Sequence, residues 1–219
     1  MSLRKDTREA FRAISTASIS DAFDELGIRG IATGIMPVYP EAKIVGPAVT
    51  MRQVPTQMGE TLIKQWDVIE RVAKPGDVIV IDAGGRKGIV SWAGIMSLGA
   101  KIRGIEGVVV DGATRDVDQI RSFKFPVFAR GLSPVRSATR YETVCINEPI
   151  QLDDVQVKPG DLIIGDEMGI AVVPKGKVEE VLKLAMKKEE SDRIMEEELR
   201  KGHSREEALA AVKKRTRLD

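Results

Sequence analysis

Two stretches of the chain concentrate residue types that can do chemistry. In VVVDGATRD, residues 108–116, three β-branched apolar residues run straight into Asp111, Arg115 and Asp116. A buried strand that ends in acid, base and acid holds either a structural ion-pair network or a binding site. In the structural reading, Arg115 pairs with Asp111 while Asp116 caps the helix that follows. In the site reading, Arg115 presents a planar fork matched to a carboxylate. Asp116 offers hard oxygen to Mg²⁺ or Mn²⁺, ions that keep several waters and need only one or two protein carboxylates. Together they would hold a 2-oxo acid. The second stretch, SWAGIMSLGAKIRG at 91–104, has the spacing of a helix with Ser91 as N-cap, Lys101 and Arg103 in its last turn and Gly104 as its stop. Free backbone N–H groups near Gly94, Ile95 and Met96 would make an anion site at its start, and Gly94 would let a ligand approach the backbone.

Other reactive groups are scarce. His203 is the single histidine and lies among Lys201, Gly202, Ser204 and Arg205, so zinc sites rich in histidine and a Ser-His-Asp triad are poor readings and a solvated loop residue is the better one. Cys145 is the single cysteine, which excludes an internal disulfide. The run DAGGRKG follows an apolar segment, but its spacing is neither GxGxxG nor that of a P-loop; a tight turn or a close backbone approach explains its glycines.

The elements that must position these groups are legible in the pattern. STASISDAFDELG at 15–27 predicts an amphipathic helix with hydroxyl caps, apolar positions at Ile19, Ala22, Phe23 and Leu26, and a stop at Gly27. AKIVGPAVTMRQV at 42–54 predicts a bent or edge strand broken at Gly46 and Pro47. Residues 59–74 place Leu62, Trp66, Ile69 and Val72 at helical spacing. DVIVIDAGG, GVVVDG and PVFARG then read as buried strands separated by the helix at 91–104 and a helical turn at VDQIRSFKF. This rhythm predicts βαβ units and a largely parallel layer, with ligands gathering at the carboxyl ends of its strands. Residues 142–174 predict antiparallel hairpins, and from Val178 onward the chain is charged and helical, with a capping box at Ser204 and Glu207 starting a last helix.

The chain has 219 residues, with 34 Lys and Arg against 33 Asp and Glu. The near balance leaves no overall field to draw it to nucleic acid or an anionic membrane, so a small molecule is the expected partner. The start MSLRKDTREAF has no apolar core of the kind a signal peptide or anchor needs, and a cytoplasmic protein is expected.

Six segments in order, SDAFDELG, AKIVGPAVTMR, GDVIVIDAGG, SWAGIMSLGAKIRGIEGVVVDGATRD, FPVFARGLSP and GDEMGIAVVP, resemble the RraA-like family, which includes the class II 4-hydroxy-4-methyl-2-oxoglutarate/4-carboxy-4-hydroxy-2-oxoadipate aldolases; the resemblance spans roughly residues 10–185. It implies an α/β fold, a layered α/β/β-type domain with a mixed sheet over 1–185, followed by a charged helical C-terminal extension over 186–219. It also implies a homo-oligomer, trimer or hexamer, with sites at subunit interfaces, a divalent metal cofactor (Mg²⁺ or Mn²⁺) and a small-molecule keto acid as partner. By motif match, Arg115 would hold a pyruvate carboxylate, Asp116 would hold the metal mainly with waters, and the backbone of Ala93, Gly94, Ile95 and Met96 would complete the cradle. The implied reaction is release of pyruvate from a 4-hydroxy-2-oxo acid, with decarboxylation of oxaloacetate through the same enolate.

The resemblance departs at one position. Family aldolases carry Asp or Glu where Gly94 stands, so Glu60, Asp82 and Glu167 come into view as substitutes. Some members are instead non-catalytic regulators that bind proteins of RNA metabolism, and a keto-acid-binding protein without turnover would keep the same fold. Those regulators lack the acid after the arginine, whereas Asp116 is present here. A menaquinone methyltransferase would need an S-adenosylmethionine signature, which the glycine run does not supply. A phosphohistidine swivelling domain would need a histidine in a core loop, and His203 in the tail cannot serve.

Overall fold

The computed structural model describes residues 3–56 and 65–216. Its elements in chain order are α1 (Lys5–Ala13), α2 (Thr16–Leu26), β1 (Ile31–Ala32), β2 (Met36–Pro37), β3 (Ile44–Pro55), α3 (Gln65–Asp67) and β4 (Val78–Trp92). Then follow α4 (Gly94–Ile102), β5 (Gly107–Thr114), α5 (Val117–Phe123), β6 (Val127–Leu132) and β7 (Tyr141–Ile146). The chain closes with β8 (Ile150–Leu152), β9 (Val155–Val157), β10 (Leu162–Asp166), β11 (Gly169–Val173), α6 (Val178–Arg200) and α7 (Arg205–Arg215).

Strands β3, β4, β5 and β6 lie side by side and parallel at the centre of a nine-stranded mixed sheet, ordered β1-β11-β10-β3-β4-β5-β6-β2 with β7 also paired to β3. Residues 78–81 and 108–110 are entirely buried, because apolar layers cover both faces, and such strands read as continuous apolar runs rather than alternations. Met96, Ala100 and Ile120 from α4 and α5 join this core, as do Ile150, Leu152, Val155 and Val157 from the separate β8-β9 hairpin. Helices, mixed sheet and hairpin thus form the expected α/β/β layering. A second core joins Phe11, Ile19 and Phe23 of α1 and α2 to Val181 and Ala185 of α6 over β10 and β11.

The caps of α2 match expectation: Ser15 accepts from the Ser18 N–H, and Gly27 is left-handed at φ 65°. The capping box of Ser204 and Glu207 likewise opens α7. Helix α6 runs without a break past residue 185.

Four expectations are corrected. The strand predicted at 42–54 is neither broken nor at an edge: β3 is continuous and lies between β10 and β4. Pro47 ends the β10 ladder where the β4 ladder begins at Ala48, the place where a residue without an N–H costs least. The glycine run does not end β4; Gly84 and Gly85, both left-handed, let residues bulge out while the strand resumes. Ser91 is not an N-cap but a strand residue, and Ala93 occupies the N-cap position of α4 without a side-chain cap. Of the helix predicted at 59–74, Leu62 lies outside the described residues, α3 is a single turn, and residues 68–72 continue as a π-helix that leaves Trp66 39% exposed.

The C-terminal helix pair is held by charge. Glu197 accepts from Lys201 Nζ at 2.7 Å and Arg215 Nη1 at 3.0 Å, and these partners, Lys201 first, hold its carboxyl at about 2 instead of 4.5. A depressed carboxyl contributes its stability above the unfolded value and loses it as pH falls through the folded one. Acid titration followed by circular dichroism should therefore show helix loss between pH 4.5 and about 2, and Glu197→Gln should show a smaller step.

Candidate active site

The site is built where two neighbouring strands end together. Trp92 at the end of β4 pairs with Thr114 at the end of β5, and Thr114 Oγ1 and the Arg115 N–H both donate to the Trp92 carbonyl, at 3.0 and 3.3 Å. This places the start of α4 beside Arg115 and Asp116. The Trp92 indole donates to Ser97 Oγ at 2.8 Å, and Ser97 Oγ donates to the Ala93 carbonyl at 3.1 Å, which fixes the first turn. The Ser97 N–H is the first to close an intrahelical bond, back to Ala93, so the N–H groups of Ile95 and Met96 belong to the open end of the helix.

Asp116 has φ 60° and ψ 41°, a left-handed conformation that costs a residue with a Cβ of order 1–3 kcal/mol and that clusters at functional sites. It occupies the N-cap position of α5 but makes no side-chain cap there. Instead its Oδ2 accepts the Gly94 N–H at 3.2 Å, so the carboxylate is turned onto the open end of α4. Arg115 Nε lies 3.5 Å from the same oxygen, yet this buried nitrogen makes no hydrogen bond. The structural pairing considered from sequence, Arg115 with Asp111 and Asp116 as a cap, is therefore absent among the described residues.

Gly94 has a different surrounding from the one expected. A Cβ there would meet Asp116 Cβ at 2.9 Å and Gln119 Cβ at 3.0 Å, so its lack of a side chain admits the neighbouring helix α5. Ile95 projects outward, 61% exposed, and Met96 is buried in the core. The sheet edge thus gathers Arg115, Asp116, Gly94 and the backbone of Ile95 and Met96.

Asp111 belongs to a second network, which sequence reasoning missed. Its Oδ1 accepts from Arg130 Nε and its Oδ2 accepts the Asp153 N–H at 3.0 Å, while Arg130 Nη2 reaches Asp153 at 3.2 Å. Burial pushes the Arg130 guanidinium down, but the bonds and charges of Asp111 and Asp153 outweigh it and hold Arg130 above its ordinary value. Asp82 accepts from Arg52 Nε at 2.9 Å and from the Gly84 N–H at 3.0 Å. Asp82, Asp111, Arg130 and Asp153 line a cleft of roughly 420 Å³ with Gly85 and Gln151. Their ion pairs saturate them, the arrangement of a structural network. The only signal for it in the sequence was an arginine closing the apolar run PVFA.

Asp82 is thereby engaged. Glu167 lies exposed at the turn between β10 and β11, on the far side of β3 from β4 and β5, and Glu60 lies outside the described residues. His203 pairs with Glu198 at the α6–α7 turn. No group of three or more His, Cys, Asp or Glu able to hold a metal occurs among the described residues, so a cation at this edge would rest on one or two protein carboxylates, Asp116 among them. The residues fit that case, since the observed contacts of Asp116 engage Oδ2 and leave Oδ1 open, and Mg²⁺ is commonly held by one carboxylate, waters and substrate oxygens.

The sequence model of the RraA-like family (aldolase/RraA) matches residues 16–172, and the chain belongs to that family. A protein of Halalkalibacterium halodurans that carries the provisional name 4-hydroxy-4-methyl-2-oxoglutarate aldolase is 42% identical over 187 residues, 85% of each chain. The 4-hydroxy-4-methyl-2-oxoglutarate aldolase of Thermus thermophilus is 30% identical over 100 residues, 46% of this chain and 60% of its own. Among solved structures, Streptomyces coelicolor RraAS2, described as an unusual member of the RNase ES inhibitor RraA protein family, superposes with a TM-score of 0.80 at 28% identity, covering 87% of this chain and 96% of its own.

Gly94→Ala should drive Asp116 and α5 away from α4 and cost about 1–3 kcal/mol, as overpacking does; urea denaturation measures it, and an unperturbed midpoint would contradict the packing described.

Proposed function

We propose that this edge is the active site of a divalent-metal-dependent carbon–carbon lyase. It would release pyruvate from a 4-hydroxy-2-oxo acid of the 4-hydroxy-4-methyl-2-oxoglutarate type and decarboxylate oxaloacetate. The observation that carries the reading is the pairing of an unsaturated Arg115 with an Asp116 held in a strained conformation against the open end of α4. The names of the relatives support the aldolase class.

Arg115 takes the substrate carboxylate through its planar fork. The N–H groups of Ile95 and Met96 receive negative charge at the helix start, where the backbone dipoles favour it. Asp116 would hold Mg²⁺ or Mn²⁺, which when bound would supply Lewis-acid stabilisation of developing negative charge, worth several kcal/mol in such sites. Gly94 spends its N–H on Asp116 and so keeps that carboxylate aimed at the substrate rather than at α5. The buried Trp92 and Met96 beneath the helix keep the floor of the site apolar. In this reading the protein works in the cytoplasm as a trimer or hexamer, in keeping with the exposed Ile95, Ile102 and Leu132, apolar residues suited to an interface.

Pyruvate release coupled to lactate dehydrogenase tests the assignment. Arg115→Ala should lower kcat/KM by about 10²-fold or more, the loss expected when a buried charged hydrogen bond of about 3 kcal/mol is removed. Asp116→Ala should abolish the dependence on Mg²⁺. Activity unchanged in both variants would reject the site, and folded wild-type protein that releases no pyruvate would favour a regulatory or keto-acid-binding role.

A further inference from the structure

The opposite end of the parallel sheet carries a cavity that the edge of Arg115 and Asp116 does not use. It holds roughly 480 Å³, within the usual range for a small-molecule site, and it lies where β3 and β6 begin. Lys43, just before β3, stands on one side; Arg121 and Lys124, at the end of α5 just before β6, stand on the other. None of these three cations has a carboxylate at ion-pair distance among the described residues: the one bond of the Lys43 ammonium goes to the Arg12 carbonyl, at 3.3 Å. Arg12 also lines the cavity, but its guanidinium is engaged by Glu106. Glu41 is the one carboxylate of the lining, so the free cations leave a local surplus of positive charge.

Tyr39 lines the same cavity although it is only 8% exposed, and its hydroxyl has no hydrogen-bond partner among the described residues. Burial first, and the Glu41 charge second, push this phenol above its ordinary value, so it stays a donor. Lys124 has φ 50° at the end of α5, a left-handed position that glycine ordinarily fills. Cations there also complement the helix dipole, but that accounts for neither Lys43 nor Tyr39. Strands β4 and β5 lie between β3 and β6, and three steps of the sheet set the two sides about 14 Å apart at the backbone. Positive charge divided in this way suits an anion with a carboxylate at each end better than a compact one, and the planar fork of Arg121 matches a carboxylate.

We propose that this cavity is a second binding site, for a small dicarboxylate, with one carboxylate at Lys43, the other at Arg121 and Lys124, and the Tyr39 hydroxyl donating to the ligand. The site is independent of the lyase reading. Calorimetric titration of metal-free protein with succinate, acetate and inorganic phosphate tests it, in the wild type and in Arg115→Ala, which removes the anion fork of the other edge. Succinate should bind once per chain in both proteins, and acetate and phosphate at least about tenfold more weakly. Lys43→Gln and Arg121→Gln should each weaken succinate by about tenfold or more, as loss of a charge-assisted bond does, and Tyr39→Phe by about threefold. Lys124→Gly removes a charge while easing the backbone, so it should weaken succinate without lowering the melting temperature. Phosphate bound as tightly as succinate, succinate binding lost in Arg115→Ala, or an affinity unchanged in the Lys43 and Arg121 variants overturns the proposal. So does a wild type that binds no succinate, or a Lys124→Gly protein whose affinity falls only together with its melting temperature.

Discussion

The register between Trp92 and Thr114 is the constraint on which the site depends. Strand β4 is 15 residues long and its partner β5 only 8, so the two end together only because the register of β4 shifts three times between Asp82 and Trp92. Left-handed Gly84 and Gly85 make the first of these shifts at low cost. A slip of one residue in such a ladder sends every side chain to the opposite face; here it would carry the start of α4 away from Arg115 and Asp116.

Two arginine–carboxylate pairs then meet very different fates at the same edge. Arg130 is wrapped by Asp111, Asp153 and the Thr33 carbonyl, and each partner satisfies another; removal of one partner from a buried pair typically costs 3–5 kcal/mol. Arg115 has a carboxylate at ion-pair distance and a buried Nε with no bond. Asp116 meanwhile keeps an unfavourable backbone angle in order to face α4. Saturated charge builds the scaffold, and unsaturated charge beside it is what a ligand can use.

The parallel core was legible because residues 78–81 and 108–110 are buried on both faces and so leave an unbroken apolar signature. The helix caps at Ser15 and Ser204 were legible because they act within a few residues of sequence. Arg115 and Asp116 stood out as charge at the end of an apolar strand. The partnership of Arg130 with Asp111 and Asp153 was not legible, since it joins three separate elements and depends on how they align. The same holds for Gly94, whose neighbour Gln119 is 25 residues away in sequence and comes close only through the pairing of β4 and β5. Pro47 misled because a proline signals an edge unless the strand exchanges partners at that point.

The central claim is that Arg115, Asp116 and the open end of α4 together hold a keto acid and a divalent cation. A crystal grown with Mn²⁺ and oxalate, measured at a wavelength where manganese scatters anomalously, tests it most directly. The account predicts an anomalous peak at the Asp116 carboxylate, with oxalate between it, the Arg115 guanidinium and the Ile95 and Met96 N–H groups. Oxalate or manganese bound elsewhere, in the Arg130 cleft for example, with the Asp116 carboxylate bare, would contradict it.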